Sequence, residues 1–328
     1  MNFKINRRDF LKSATMASVY ATAGVGAGSA LALADPQIKR IGGPKLKISL
    51  NAYSFSKMLN DHKKDPSTGI SLFDLLDFCA KNNFEAVDPT GYFFPGYPSE
   101  LPTDAFINEF KRRAFELGLD ISGTGVRNNF TLPDKEKRAA DVQHIKQWVE
   151  VAAKMGAPVL RVFADTQMKG QSWQTVAPGI AREQMEDWIV ENLKECADHG
   201  KKFGVIIGVQ NHGDFLKTAD NLLNLIKRVD SVWCGPIVDT GYFMTKDPYE
   251  DMANVAPYAV NWQIKTSPFG ADSGIKTDLK RLIKIIRESG YRGYIPIETL
   301  SIKGQSYDPF DLVPKFLAEL REVLDAKG

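Results

Sequence analysis

The amino-acid sequence predicts an α/β protein in which eight strand–helix units close into a (β/α)8 barrel, the TIM barrel. Short apolar runs of buried-strand type alternate with longer segments whose apolar residues are spaced as in an amphipathic helix. The units recur roughly every 35 residues, which suits eight units in one domain. No G-x-G-x-x-G or P-loop pattern follows an early strand, so an open nucleotide-binding sheet is disfavoured and no nucleotide cofactor is expected.

The predicted strands are short apolar runs that are bounded by turn-forming residues. The first reads KISLNAY, and the fifth, FGVIIGV, is apolar along its whole length, as in a strand that is covered on both faces. The eight predicted strands are 47–53, 84–88, 120–125, 159–163, 203–209, 236–238, 258–264 and 294–297.

Each strand is followed by a predicted helix with apolar residues three or four positions apart. Ser71 and Asp74 supply the start signal of the first helix, and Gly118, Gly156 and Gly200 stop the next three. Only a short helix fits after the sixth strand. The eight predicted helices are 71–82, 103–117, 134–155, 181–199, 218–229, 249–255, 279–289 and 309–326.

The first 34 residues have the pattern of an export signal. Positions 7–12 read RRDFLK, the form of a twin-arginine signal, and an uncharged Ala/Gly-rich stretch follows as far as Ala34. That stretch is too weakly apolar to be a stable membrane anchor. We therefore expect a twin-arginine signal peptide at 1–34, a linker at 35–45, a barrel at 46–328 and a periplasmic location.

The charge balance argues against a nucleic-acid partner. Residues 1–34 contribute +3 to a net charge of +2, so the predicted mature part carries −1 and lacks a basic footprint. The three cysteines, Cys79, Cys196 and Cys234, are scattered and fit buried free thiols better than disulfides or a thiolate metal site. An oligomer is compatible with this composition, but the sequence does not specify one.

Two segments after predicted strands are unusually long. The segment 88–102 is rich in Pro, Gly and aromatic residues, and 164–178 carries Trp173 and several amides. Loops on this side of a barrel often wall or cover a pocket. Tyr92 and Trp173 are therefore candidate substrate contacts, and the alternative for the aromatics of 88–102 is that they only pack the loop down.

Four polar residues follow or end strand-like runs in the second half of the chain. They are Gln210 in GVQNH, Asp239 in GPIVD, Gln263 in NWQIK and Glu298 in YIPIE. The carboxyl ends of barrel strands converge on one face, where active sites are built. We expect these four side chains, the quartet, to meet there.

In these stretches the chain resembles the xylose-isomerase-like superfamily of TIM barrels, in the branch of sugar phosphate isomerases and epimerases. GVIIGVQNH, DTGY, QIK and GYRGYIPIE stand where that family has G-V-x-(x)-x-x-E-N-H, D-x-G-N/Y, H-x-K and G-Y-x-G-x-(x)-x-E. The resemblance implies one divalent metal held by Glu, Asp, His and Glu, with the two glutamates as acid and base. Asp239 and Glu298 match this pattern, whereas Gln210 replaces the first Glu and Gln263 replaces the His. The resemblance also implies that His212 and Lys265 reach substrate or support the site.

These two substitutions leave the metal question open at the sequence level. An amide oxygen ligates a hard cation but carries no charge to offset it. A metal at Gln210, Asp239, Gln263 and Glu298 is therefore expected to be Mn²⁺, Mg²⁺ or Ca²⁺ and weakly bound. In the alternative without metal, repulsion between Asp239 and Glu298 raises the pKa of one of them, which gives an acid/base candidate.

One remaining base suits reactions that begin with loss of a proton next to a carbonyl. Gln210 cannot take a proton, so symmetric two-base epimerisation is disfavoured, whereas an aldose–ketose shift or a β-elimination needs a single base. We expect Glu298 as that base, Asp239 as metal or acid partner, and Lys265 and His212 as substrate contacts.

Three further charged residues are candidate substrate contacts. Arg127 and Arg161, like Lys265, are placed to hold developing negative charge, and the alternative for the arginines is a structural ion pair at the barrel rim. Asp88 is a candidate ligand for a sugar hydroxyl or, alternatively, the cap of the turn at Asp88-Pro89.

The sequence thus predicts an exported enzyme that abstracts a proton next to a carbonyl of a sugar or keto-glycoside. Its reaction is expected to be of isomerase or epimerase type, or an elimination by a lyase. The alternative is a non-catalytic carbohydrate-binding barrel that has lost the family's metal site. The expected partner is in both cases a small-molecule carbohydrate.

Overall fold

The computed structural model describes residues 38–266, 277–302, 304 and 306–326. The predicted signal peptide and the start of the linker lie outside these ranges. Within them, nine strand segments form one parallel sheet in the order β3-β2-β1-β9-β8-β7-β6-β5-β4. The segments are β1 Lys45–Asn51, β2 Ala86–Asp88, β3 Asp120–Ile121, β4 Thr124–Gly125, β5 Val159–Phe163, β6 Ile206–Gln210, β7 Cys234–Asp239, β8 Asn261–Lys265 and β9 Arg292–Glu298.

The sheet is a barrel of eight strands, because β3 and β4 are two halves of the third. The first half pairs with β2 and the second with β5, so the chain itself joins the two ends of the sheet. The predicted TIM barrel is confirmed, and the predicted third strand at 120–125 is interrupted at Ser122 and Gly123.

Glycines at this interruption make room for two charged side chains. A Cβ atom on Gly123 would lie 3.0 Å from the carboxylate of Asp88, and one on Gly125 would lie 2.5 Å from Nε of Arg161. A side chain at Gly125 would therefore displace the guanidinium group. The third strand thus has glycines where the charged side chains of its two neighbouring strands, Asp88 of β2 and Arg161 of β5, pass close to its backbone.

The helices of the described ranges lie outside the barrel, and most of them bury one face, whereas α5 has no buried residue. Several follow the sequence signals closely: Ser71 and Asp74 form a reciprocal capping box, and Gly156 ends a helix with φ at 86°. The helices are α1 Ser56–Lys64, α2 Leu72–Lys81, α3 Asp104–Glu116, α4 Lys135–Met155, α5 Trp173–Val176, α6 Arg182–Phe203, α7 Ala219–Val229, α8 Pro248–Val255, α9 Leu279–Glu288 and α10 Pro309–Asp325.

Three predicted boundaries are wrong by three or four residues. The fifth predicted strand begins at Ile206 rather than at 203, because helix α6 still occupies that position. Helix α6 continues past Gly200 to Phe203 and ends at Gly204, whose φ of 72° makes it the cap. Gly200 instead packs so tightly that a Cβ atom would lie 2.3 Å from the carbonyl oxygen of Val205. Strand β8 begins at Asn261 rather than at 258, because Ala256–Tyr258 forms a 3₁₀ turn around Pro257.

Helix α1 was not predicted. Its sequence, SKMLNDHKK, is mostly polar and buries only Leu59, and no side chain caps its N-terminus. Periodicity and capping signals were therefore both absent. The helix follows β1 at the carboxyl end of the barrel, beside the candidate site described below.

All three cysteines are free and buried, as expected. None of the helices in the described ranges is both long enough and apolar enough to cross a membrane.

The loop after β6 is held by a buried carboxylate, Asp165. Its Oδ2 accepts the backbone N–H of His212 at 3.0 Å, and its Oδ1 accepts those of Asp214 and Leu216 at 2.9 Å and that of Phe215. The Asp165 carboxylate thus accepts hydrogen bonds from four backbone N–H groups within residues 212–216. This network fixes the backbone at His212.

Replacing Asp165 by Asn should destabilise the protein by about 2 kcal/mol, because the amide offers one acceptor oxygen and turns an NH₂ group toward backbone donors. Urea denaturation measures the loss. The exposed Asp198→Asn variant is the matched control, and a similar change in both variants would contradict the role assigned to Asp165.

Candidate functional site

The quartet meets at the carboxyl end of the barrel. Gln210, Asp239 and Glu298 are the last residues of β6, β7 and β9, and Gln263 lies in β8 level with Asp239. Each of the four is at most 4% exposed. Alternating residues of a strand project from the same face, so Lys265, two positions after Gln263, points toward the same region.

The ammonium group of Lys265 lies between the two carboxylates of the quartet. Its Nζ is 2.7 Å from Oδ2 of Asp239 and 3.7 Å from Oε1 of Glu298, and all three side chains are buried. Burial alone would lower the pKa of Lys265, but the charges of Asp239 and Glu298 outweigh it and raise the pKa. The ammonium is therefore charged at neutral pH.

The two amides hold the carboxylates from the other side. Gln210 donates its Nε2–H to Oδ2 of Asp239, and Gln263 donates its Nε2–H to Oε2 of Glu298. Oε1 of Gln263 in turn accepts from Nδ2 of Asn51 at 3.1 Å. The amide orientations follow from this network, in which each NH₂ group faces a carboxylate.

Two carboxyl groups of the site have raised pKa values. Burial raises the pKa of Glu298, and the nearby Asp239 adds to the rise while Lys265 opposes it. Burial also raises the pKa of Asp88 to about 6, with Arg161 opposing and Glu298 adding. A carboxylate whose pKa is moved toward neutrality can both accept and return a proton.

Arg161 and Tyr92 form one wall of the site. A terminal nitrogen of Arg161 donates to the hydroxyl of Tyr92 at 2.9 Å, and its guanidinium lies 4.4 Å from the ring centre of Phe163. The guanidinium group of the exposed Arg127 lies over the ring of Tyr92, 4.7 Å from its centre. The site thus presents arginine cations beside aromatic faces.

His212 is a neutral imidazole next to the site. Burial, together with the charges of Lys265, Arg161 and Arg127, lowers its pKa to about 3. Its ring lies against Tyr242 at 4.1 Å and against Phe163 at 5.0 Å between centres. At neutral pH it can donate or accept a hydrogen bond but carries no charge.

These residues surround an open cavity of about 400 Å³. Of the predicted site residues, Gln210, Gln263, Glu298, Tyr92, Arg127 and Arg161 line it. Asp239, Lys265, Asp88 and His212 are not among its lining residues, although the first two contact those that are. The ring of Trp173 packs on Phe215 instead, 5.6 Å between centres, and also lies outside the lining.

Five lining residues were not predicted: Asn51, Tyr53, Thr90, Phe163 and Gln167. Asn51 is the last residue of β1, and Phe163 is the last residue of β5. Applied to the predicted strands, the rule that identified the quartet would have identified Phe163. The first strand was predicted to end at 53, so the rule would have pointed to Tyr53 rather than to Asn51. Thr90 and Gln167 lie in connections whose path the sequence did not specify.

The donor set of the quartet does not fit a divalent cation. Oδ2 of Asp239 already accepts from Lys265 and Gln210, and an ion bound to the same oxygen would lie within about 5 Å of the ammonium. The amide NH₂ groups, not the amide oxygens, face the carboxylates. In the described part of the chain no three His, Cys, Asp or Glu side chains are grouped to hold a metal.

The fold is similar to that of solved sugar-processing enzymes. The chain matches 3-keto-D-glucoside 4-epimerase from E. coli with a TM-score of 0.64 and 14% identity, over 85% of this chain and 99% of that one. D-psicose 3-epimerase from Clostridium cellulolyticum H10 gives 0.67 and 16%, over 85% and 100%. A sugar phosphate isomerase/epimerase from Parabacteroides distasonis gives 0.62 and 19%, over 87% and 96%.

At these identities the likeness shows the fold alone. A comparison with curated protein sequences found no significant match. The model of the family described as "Xylose isomerase-like TIM barrel" matches residues 76–321, which is most of the chain. The protein therefore belongs to the xylose isomerase-like TIM barrel family.

Proposed function

We propose that the protein is a sugar-converting enzyme that abstracts a proton next to a carbonyl of a sugar or keto-glycoside. The observation that carries this proposal is the Glu298 carboxylate, which lines the cavity with a raised pKa and lies close to the buried Lys265 ammonium. The activities of the solved proteins with the same fold support the substrate class.

Polar side chains of the cavity suit a sugar ring. Asn51, Gln210 and Gln263 present amides, Thr90 presents a hydroxyl, and Tyr92 presents a ring. Amides and hydroxyls bond sugar hydroxyls, while an aromatic face packs against ring C–H groups. A carbohydrate matches this mixture better than an apolar ligand does.

In the proposed reaction, Glu298 takes the proton from the carbon next to the carbonyl. The electron pair moves to the carbonyl oxygen, and the resulting enediolate lies against Arg161, a half-buried cation that lines the cavity. In an isomerisation, the proton of the α-hydroxyl moves to the former carbonyl oxygen, and Glu298 returns the abstracted proton to the former carbonyl carbon. In an elimination, the group on the β-carbon leaves with its bonding electrons and takes the proton from Glu298. Gln210 cannot serve as a second base, so a one-base route is favoured.

Lys265 is a positioning residue in this scheme, because it lies behind the lining and acts through Glu298 and Asp239. Its ammonium balances the two buried carboxylates and limits the rise of the Glu298 pKa. The hydrogen bonds to Asp239 argue against the weakly bound metal that the sequence allowed, and no step of the proposed reaction depends on a metal.

The alternative, a carbohydrate-binding barrel without activity, is favoured by one observation. Both oxygens of Glu298 face groups of the protein, Oε2 through a hydrogen bond from Gln263 and Oε1 toward Lys265. Such a closed network is also what a purely structural carboxylate would form. Exchange of substrate C–H protons in D₂O separates the two, since a binder exchanges none.

Export by the twin-arginine route and a periplasmic location are also proposed, on the RRDFLK signal alone. An exported enzyme would meet free sugars and glycosides rather than the phosphorylated intermediates of the cytoplasm. This supports a free sugar or keto-glycoside as the substrate class.

Glu298→Gln should lower kcat on the turned-over keto-sugar by at least about 100-fold while the KM changes little, because the amide keeps the shape but cannot accept a proton. NMR in D₂O with 3-keto-glucosides and ketohexoses reports both turnover and C–H exchange. The exposed Glu183→Gln variant should behave as the wild type. Undiminished exchange in the Glu298 variant would contradict its assignment as the base.

Lys265→Met should destabilise the protein by about 3 to 5 kcal/mol at pH 8, because two buried carboxylates lose their counter-charge. The loss should shrink at pH 5. Without the ammonium the folded-state pKa of Glu298 rises further above its unfolded value, so the folded protein takes up a proton there as the pH falls. Urea denaturation at both pH values, with the exposed Lys280→Met as control, measures this. An equal loss at pH 5 and pH 8 would count against the charge-balance role.

A further inference from the structure

A second open cavity, the outer groove, adjoins the first. It measures about 750 Å³ and shares Tyr53, Tyr92 and Arg127 with the cavity of about 400 Å³ that Glu298 lines. The two spaces therefore adjoin, with the shared residues at the boundary between them. A second group on a ligand whose ring lies beside Glu298 would point toward the outer groove.

Helix α1 forms one wall of the outer groove. Ser56, Lys57, Asn60 and Lys63 line it. Asn60 lies four residues after Ser56 and three after Lys57, and Lys63 lies three after Asn60, which places the four along one face of the helix. The buried Leu59 anchors the helix to the protein. Helix α1, which the sequence did not predict, thus forms a wall of the outer groove.

The opposite wall is aromatic. The rings of Tyr92 and Tyr97 lie 5.6 Å apart, and Tyr53 meets Tyr92 edge-on at 6.3 Å. Phe93 and Pro98 complete this side. Packed, fixed rings of this kind suit a flat sugar or aryl group.

The charge of the groove is positive. Lys57, Lys63 and Arg127 line it, and its lining residues include no carboxylate. Lys57 pairs with Asp61 at 2.6 Å, whereas Nζ of Lys63 donates to the backbone oxygens of Tyr92 and Tyr97 at 2.8 and 3.0 Å. Among the described residues, neither Lys63 nor Arg127 forms an ion pair with an acid. Two cations without acidic partners thus face an open space.

We infer that the outer groove binds a second part of the substrate, a further sugar or an aglycone, that carries an anionic group such as a carboxylate or sulfate. This deepens the proposed function and rests on it, since the reacting ring is taken to lie beside Glu298. The aromatic wall would hold the ring of this second part, while Lys63 and Arg127 would hold its charge. The inferred substrate class is an anionic keto-glycoside.

The test compares aryl 3-keto-β-D-glucopyranosides that differ only in the para substituent: carboxylate, sulfonate or the neutral carboxamide. The wild type should show a KM roughly tenfold lower for the carboxylate than for the carboxamide, and the preference should weaken with added salt. The sulfonate arm reports whether the groove distinguishes a carboxylate from a sulfur oxyanion.

Lys63→Gln should remove most of this preference, because the amide keeps a donor to the backbone oxygens but has no charge. Lys64→Gln, on the same helix and outside the lining, is the matched control and should keep the preference. Equal KM values for the charged and neutral glycosides in the wild type would overturn the inference, as would an unchanged preference in Lys63→Gln.

The failure of the proposed function is distinguishable from the failure of this inference. If none of the glycosides is turned over, the proposed function fails. Calorimetry with the unoxidised 4-carboxyphenyl and 4-carbamoylphenyl glucosides then tests the groove by itself. Tighter binding of the carboxylate that is lost in Lys63→Gln supports it, and equal binding overturns it.

Discussion

The site depends on the pairing of the buried ammonium group of Lys265 with the carboxylates of Asp239 and Glu298. Asp239 and Glu298 are both buried, and two uncompensated carboxylates in such a place would cost several kcal/mol. Lys265 lies against both, and strand pairing puts it there: Asp239 is level with Gln263, and Lys265 is level with Glu298. The backbone N–H of Lys265 also bonds the hydroxyl of Thr240. The register of β7, β8 and β9 therefore brings these charges together.

The amides of the site follow from the same constraint. With the ammonium in place, the carboxylates need donors rather than further charge, and Gln210 and Gln263 supply N–H groups. By the family pattern, Gln210 and Gln263 stand where a metal site would have a Glu and a His. In the structure they are instead the hydrogen-bond donors of the two carboxylates. The cavity is thus lined by one carboxylate, Glu298, and by a half-buried arginine, Arg161, which fits chemistry with a single base.

The sequence predicted the barrel and the position of the site because both depend on local patterns. Apolar strands and capped helices recur along the chain, and barrel topology brings strand ends such as Gln210 and Glu298 together. The sequence could not predict that Lys265 would lie between Asp239 and Glu298, since this depends on strand register and on side-chain direction. The sequence did not predict helix α1 because Leu59 is its only buried residue. It did not predict the split of the third strand because Gly123 and Gly125 are there to leave room for Asp88 and Arg161, which belong to the neighbouring strands.

We infer that an ammonium group, not a metal ion, balances the carboxylates of the quartet. Calorimetric titration of the chelator-treated mature protein with Mn²⁺, alongside turnover in the same samples, tests it most directly. A variant with Gln210→Glu, Gln263→His and Lys265→Met offers strong ligands without the ammonium and shows whether the assay detects binding. We expect no stoichiometric binding to the wild type, undiminished turnover after chelation, and one equivalent bound by the triple variant. One equivalent of Mn²⁺ bound by the wild type, with turnover that is lost on chelation and restored by the metal, would contradict it.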